Sequence, residues 1–222
     1  MIPGGAADGR HGDPRGSCPP RARERRADPL SVAPATIRGV VEERAHPPGW
    51  RPGPDDDEPP REPDDVRDVL LAQLELHRER LVRKVDGLTD EQLRTPVLPS
   101  GWTALELLVH LAAVERRWLE WGFRAEPLPD PWRDQGPDGR WRAPDGATGA
   151  SVVADLRAQW EVSRDVVAGV PLGARAALGG RFATPGEAPT LGWVLLHLLQ
   201  ETARHVGHLD VVRELLDGQV GE

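Results

Sequence analysis

The stretch TLGWVLLHLLQETARHVGHLDVV, residues 190–212, decides the fold of this chain. Its apolar residues recur every three or four positions and Thr190 can cap a helix, so we predict one long helix over residues 190–216. One face of that helix carries, at successive spacings of 4, 3, 4, 3 and 4, Val194, Leu198, Glu201, His205, His208 and Val212. Three ionisable side chains therefore interrupt an apolar stripe, which packing alone does not explain.

Three more amphipathic segments precede this helix. Apolar residues at helical spacing predict helices from Val66 to Val85, from Thr103 to Trp121 and from Ala150 to Ala168. Residues 89–92 read Thr-Asp-Glu-Gln, which matches a capping box, so a short helical turn should follow Thr89. No segment shows a convincing alternating pattern. The sequence therefore predicts an all-α fold, an up-and-down four-helix bundle over residues 64–218.

Two connections in this bundle are long. The segment from Glu126 to Gly149 is rich in Pro, Gly and Trp, and Trp132 and Trp141 favour a flap that packs on the domain. Residues 169–189 are punctuated by Gly and Pro, so we expect at most one short hairpin there.

The first 63 residues differ in character, being dense in Pro, Gly, Arg and Asp, and we predict a disordered, low-complexity tail. The net charge of −8 argues against a nucleic-acid partner, because phosphate binding needs a basic surface. Cys18 is the only cysteine, which excludes an intramolecular disulfide and favours a reducing cytoplasm. Since no run of about 18 apolar residues occurs, we expect a soluble protein with no membrane partner.

The ionisable residues of the last helix suggest a metal site. Burying an unpaired carboxylate costs several kcal/mol, on the order of 3 or more, so Glu201 needs a reason to lie in the stripe. Glu201 and His205 are four residues apart and can reach one point beside the helix. His110, predicted to lie mid-helix among leucines, is the natural third ligand. Two imidazoles and one carboxylate suit catalytic zinc best, although iron(II) and nickel accept the same set.

Other interpretations stay open for each of these residues. Single histidines on apolar faces are mostly core or rim residues, and Glu201 could instead pair with Arg204. His208 could be a catalytic proton shuttle, a fourth ligand, a partner of a ligand, or a partly exposed helix residue. For His197 we favour packing or contact with a ligand, and His77 is ambiguous.

Three segments carry a resemblance to a known family: GWTALELLVHLAAVE (101–115), TLGWVLLH (190–197) and ETARHVGHLD (201–210). Over about residues 64–218 the chain resembles the DinB-like superfamily. In particular it is similar to the actinobacterial branch that includes mycothiol-dependent maleylpyruvate isomerase and mycothiol S-transferases. The isomerase's ligand set, one His on the second helix and Glu-x-x-x-His on the last, corresponds to His110, Glu201 and His205.

The resemblance implies thiol activation by the metal, with mycothiol as the thiol cosubstrate and a small electrophile as its partner. Arg116, Arg117 or Arg204 could hold an anionic substrate, although such arginines are more often solvated. The competing functions are a non-haem iron enzyme and a non-catalytic binding or stress-response module that the metal merely stabilises. Pairing of two copies through helix faces is compatible with the sequence, which contains nothing that requires a homodimer.

Overall fold

A computed structural model of the chain describes Pro59 and residues 65–220, and all of them fall within one compact unit. Five α-helices follow one another: α1 (Val66–Val85), α2 (Asp90–Leu93), α3 (Ala104–Arg116), α4 (Gly149–Val167) and α5 (Leu191–Asp217). Across the described residues there is no strand, only the isolated bridges Gln135–Trp141 and Arg175–Thr190. The predicted all-α class is confirmed. The predicted disordered tail and Cys18 lie outside the described residues, Pro59 excepted.

The helices begin where the sequence places caps. The side chains of Asp65, Thr103 and Thr190 each accept a hydrogen bond from the backbone two or three residues ahead. Thr89 and Thr103 form complete capping boxes, because the side chains of Gln92 and Glu106 accept hydrogen bonds from the backbone amides of these threonines. Such caps satisfy amides that have no partner within the helix. The predicted boundaries of α1, α4 and α5 agree with the structure to within a residue or two.

The second long helix differs from its prediction at the C-terminal end. We expected it to stop near Trp121, but the helical path continues beyond α3 as a π-helix over Arg117–Phe123. In this segment the amide of Arg124 bonds to the carbonyl of Leu119, five residues back. Each turn of a π-helix holds an extra residue, so side chains after Arg116 point in directions that an α-helix would not give them.

Two layers of apolar side chains hold the helices together. α1 packs mainly on α5, and α3 lies between α4 and α5. One cluster is built around Leu105, Leu108, Leu156, Trp160 and Leu209, and the other around Leu74, Leu119, Val194, Leu195 and Leu198. No helix among residues 65–220 is long and apolar enough to cross a bilayer.

A buried ion pair also ties three helices together. Arg78 of α1 donates two hydrogen bonds to Glu115 of α3, at 2.9 and 2.5 Å, and Ser163 of α4 donates a third at 2.6 Å. All three side chains are almost completely buried. Because an unpaired buried charge is costly, this network fixes how the three helices align. The sequence pattern alone does not predict this network.

Candidate metal centre

The three predicted ligands converge in the structure. His110 lies near the middle of α3, and Glu201 and His205 occupy successive turns of α5. One ligand atom from each lies within 4.8 Å of the other two. The Nε2 atom of His205 is 3.5 Å from Oε2 of Glu201. The helical spacing of four thus places these two groups as expected, and the packing of α3 on α5 supplies the third.

A buried carboxylate orients the first of these ligands. Oδ2 of Asp134 lies 2.9 Å from Nδ1 of His110, and Asp134 is fully buried. With its Nδ1 bound to Asp134, His110 has Nε2 left as the nitrogen that a metal could use. This carboxylate–histidine arrangement is the usual support for a histidine that binds a metal.

Arg117, the first residue of the π-helix, holds Asp134 in turn. Its guanidinium donates to both carboxylate oxygens, at 2.5 and 3.3 Å, and to the carbonyl of Pro131 at 3.0 Å. Burial raises the pKa of Asp134, but the hydrogen bonds from His110 and Arg117 and the charge of Arg117 outweigh it and hold that pKa below its usual value. Asp134 is therefore an anion at neutral pH. Arg117 is buried and bound to Asp134, so neither interpretation considered for it, holding an anionic substrate or lying in solvent, fits its position.

His205 is buried and neutral in the metal-free protein. Burial and the neighbouring His110 lower the pKa of His205 to about 4, although the Glu201 carboxylate acts in the opposite direction. Neutral imidazole is the form that binds a cation, so His205 needs to lose no proton near pH 7.

His208 lies beside His205 and outside the ligand cluster. The two Nδ1 atoms are 3.2 Å apart, and His208 is exposed. The group of residues whose ligand atoms converge does not include His208. A partner of a ligand, a proton shuttle and a partly exposed helix residue all remain compatible with this position, whereas a fourth ligand is not.

The long loop before α4 covers the site with an aromatic wall. Trp141 stacks on His110 with ring centroids 4.1 Å apart and lies 5.4 Å from His205. The backbone amide of Arg142 donates to the backbone carbonyl of Asp134 at 2.8 Å, and this hydrogen bond brings Trp141 close to Asp134. Trp102 lies 6.0 Å from Trp141. The predicted flap is therefore a packed part of the site.

A cleft of about 470 Å³ opens beside this wall. Its lining includes Trp102 and Trp141 together with the polar side chains of Glu106, Asp138 and Arg140. A small molecule in the cleft would contact the same indole that stacks on His110.

Two further histidines of the described residues, His197 and His77, do not belong to the converging group. His197 packs between Trp118, at 4.4 Å, and Trp193, which is parallel to it at 5.3 Å. Burial lowers the pKa of His197. The packing interpretation thus fits its position. His77 is partly buried on α1 and does not join the cluster.

Asp134 was not predicted as a site residue, Arg117 was considered only as a possible holder of an anionic substrate, and Trp141 was predicted only as a packing residue. Asp134 lies in an irregular loop, where no periodicity indicates the direction of a side chain. Arg117 reaches it because the helix changes to π geometry there. The one available signal was the pair of tryptophans in a loop too long to be a simple connection.

Comparison with known proteins gives one informative result. A search of curated proteins finds no match to the chain. A family model described as mycothiol S-transferase matches residues 69–218, about two-thirds of the chain, and this stretch includes all three converging ligands and Asp134. The predicted resemblance to that branch is confirmed, and the chain belongs to the mycothiol S-transferase family.

Proposed function

We propose that this protein is a divalent-metal-dependent mycothiol S-transferase that acts on a small electrophile, with the metal held by His110, Glu201 and His205. The observation that carries the proposal is the convergence of these three side chains, with Asp134 buried behind His110. The family description favours transfer over isomerisation as the reaction. We further propose that α1, α3, α4 and α5 form the up-and-down four-helix bundle, that the domain begins near residue 64, and that the protein works in the cytoplasm.

The donor set fits a divalent cation. Two nitrogens and a carboxylate oxygen make up an open three-ligand site, in which further positions stay available for a substrate. His110 is oriented by Asp134, and His205 is neutral and backed by His208. Zinc suits the set best, and a bound divalent cation would favour the thiolate form of a thiol that coordinates it.

The protein's own residues would perform the remaining tasks. Trp141 and Trp102 exclude water from one side of the three ligands and line the 470 Å³ cleft, in which we place the rest of the thiol cosubstrate. His208 is exposed and lies against His205, so we assign to it the transfer of the thiol proton to solvent. No cysteine of the protein is needed as a nucleophile, since the described residues contain none.

Elemental analysis combined with a thiol-transfer assay tests this proposal. Protein purified without added metal should contain about one equivalent of a divalent metal. It should also consume a bimane or chloro-dinitrobenzene electrophile only when mycothiol is present. The variant Glu201→Ala should lose the metal and the turnover. Glu214→Ala, an exposed glutamate of the same helix, should retain both. A protein that stays metal-free after reconstitution, or turnover unchanged in Glu201→Ala, would refute the proposal.

The same donor set gives a second candidate function. Two histidines and one carboxylate with open positions also form the iron(II) site of non-haem oxygenases. If activity appears only after anaerobic loading with iron(II) and requires oxygen instead of a thiol, this second function is the correct one.

A further inference from the structure

Arg181 occupies an aromatic cluster without an acidic partner. Its guanidinium lies 4.1 Å from the ring centre of Trp118 and 6.0 Å from those of Trp121 and Trp132. Among the residues that the structure describes, no carboxylate pairs with Arg181, and the charge that acts on its pKa is that of another cation, Arg117. Burial and the charge of Arg117 lower the pKa of Arg181. A partly buried cation whose only compensation is aromatic faces can readily accept an anion.

The backbone around Arg181 is fixed in place. Its amide donates to the carbonyl of Trp121, at 3.1 Å, and the amide of Ala177 donates to the carbonyl of Phe123, at 2.8 Å. Both acceptors belong to the π-helix. Gly180 packs so tightly there that a Cβ atom would lie 2.1 Å from the Trp121 carbonyl oxygen. The π-helix therefore supplies two of the three indoles, Trp118 and Trp121, and the anchor for the loop that carries Arg181.

The cluster adjoins residues on both helices that carry the three candidate ligands. On one side, Trp118 also touches His197, which lies one helical turn before Glu201. On the other side, the guanidinium carbon of Arg117 lies 4.5 Å from the ring centre of Trp132, and Arg117 holds Asp134 behind His110. Arg181 thus sits beside the site and does not take part in the ligand set.

The cluster is open to solvent. Trp132 and Trp193 are 45% and 50% exposed, and Arg181, Trp118 and His197 are partly exposed. The guanidinium offers a planar set of donors that matches a carboxylate, and the neighbouring indoles offer flat apolar surfaces. The chemistry that fits such a surface is a flat, apolar small molecule bearing one carboxylate.

We propose that Arg181 anchors a carboxylate of the electrophilic substrate, so that the enzyme prefers anionic aromatic electrophiles to neutral ones. This inference rests on the proposed function for the reaction itself, but the binding of the carboxylate can be measured without turnover. In the step considered, the thiolate sulfur bonds to the electrophilic carbon, the carbon–chlorine bond breaks, chloride leaves with the bonding electrons, and the thiol proton passes to solvent.

A matched pair of substrates tests the proposal on the full-length, metal-loaded protein. With mycothiol as the thiol, kcat/KM is compared for 4-(chloromethyl)benzoate and 4-(chloromethyl)benzamide, which differ in charge and hardly in shape. The wild type should prefer the benzoate by about tenfold or more, the usual size of a charge-assisted hydrogen bond. Arg181→Gln should abolish the preference while metal content and benzamide turnover persist. Arg157→Gln, which removes a surface arginine that stacks on Trp160, is the control and should retain it.

A second measurement separates failure of this proposal from failure of the proposed function. Binding of benzoate, with benzamide as the neutral control, is followed by tryptophan fluorescence in the absence of any thiol. Loss of benzoate affinity in Arg181→Gln supports the anion site even if no thiol transfer is found. Unchanged affinity and unchanged preference in Arg181→Gln would overturn it. Arg181→Lys keeps the charge and should keep the preference. If the lysine and glutamine variants lose the preference for the benzoate equally, only the packing of Arg181 matters, and the proposed anion site is also overturned.

Discussion

Replacing Asp134 with asparagine should weaken metal binding and destabilise the protein together. Asparagine preserves the shape of the side chain but exchanges one acceptor oxygen for an amino group and removes the negative charge. His110 then loses the carboxylate that orients it, which typically costs about 10- to 100-fold in metal affinity. Arg117, only 3% exposed, loses its counterion. Leaving a buried charge unpaired costs about 3 kcal/mol.

The two effects are measured separately. For the metal-free protein, a loss of about 3 kcal/mol should lower Tm by roughly 6–12 °C, because 1 kcal/mol corresponds to about 2–4 °C in a unit of this size. Metal affinity is obtained by competition with a chelating dye on the folded variant at 20 °C or below. Asp138→Asn is the matched control, because Asp138 lies four residues further along the same loop and pairs with Arg142 at the surface. It should change neither quantity.

A double variant makes the reasoning refutable. If the stability loss in Asp134→Asn comes from the unpaired guanidinium, then Arg117→Gln combined with Asp134→Asn should cost less than the sum of the single changes. The metal affinity should remain low in the double variant, since the partner of His110 is still absent. Wild-type metal affinity in Asp134→Asn would refute the role given to this carboxylate, whatever happens to Tm.

Three further predictions concern the frame of the site. Glu115→Gln should lower the free energy of unfolding by about 1–3 kcal/mol in urea titrations, because the buried guanidinium of Arg78 then keeps only Glu75 of its two carboxylate partners. The exposed Glu161→Gln should change the free energy of unfolding by less than about 0.5 kcal/mol. Without metal, the free energy of unfolding should fall by on the order of 3 kcal/mol between about pH 6.5 and pH 4, because the pKa of His205 is about 4 in the folded protein and higher in the unfolded chain, which therefore binds the proton first. His205→Gln should flatten this part of the curve of unfolding free energy against pH. Parallel curves for the wild type and the variant would contradict the prediction. Gly180→Ala should cost about 1–3 kcal/mol, since its new methyl group would meet a backbone carbonyl of the π-helix, while Gly186→Ala, with open space around it, should be nearly neutral in thermal melts.

The sequence predicted the parts of the structure that repeat along a helix. Apolar spacing and cap residues located α1, α4 and α5 to within a residue or two, because both signals act within a few residues. The two candidate ligands on α5 followed from the same periodicity, as Glu201 and His205 share one face. His110 was predicted because an imidazole among leucines needs a partner, and the structure supplies Asp134 and Trp141 as well as the other ligands.

What escaped prediction depends on contacts between distant segments. The pairing of Arg78 with Glu115 crosses from one helix to another, and neither residue differs in sequence from an ordinary surface charge. The position of Asp134 depends on how an irregular loop closes. The π-helix arises from one residue more per turn, which no single residue type signals. These features become visible only when the tertiary packing is known.

Cation binding at the site and folding of the loop that supplies Asp134 and Trp141 should stabilise each other. Both side chains reach His110 from a segment without regular secondary structure. By thermodynamic linkage, the folded loop strengthens cation binding by the same free energy by which a bound cation stabilises the folded loop. A tenfold gain in affinity therefore corresponds to about 1.4 kcal/mol of added protection against local opening. The amide protons of residues 131–142 would then report on the metal, exchanging more slowly as the site fills.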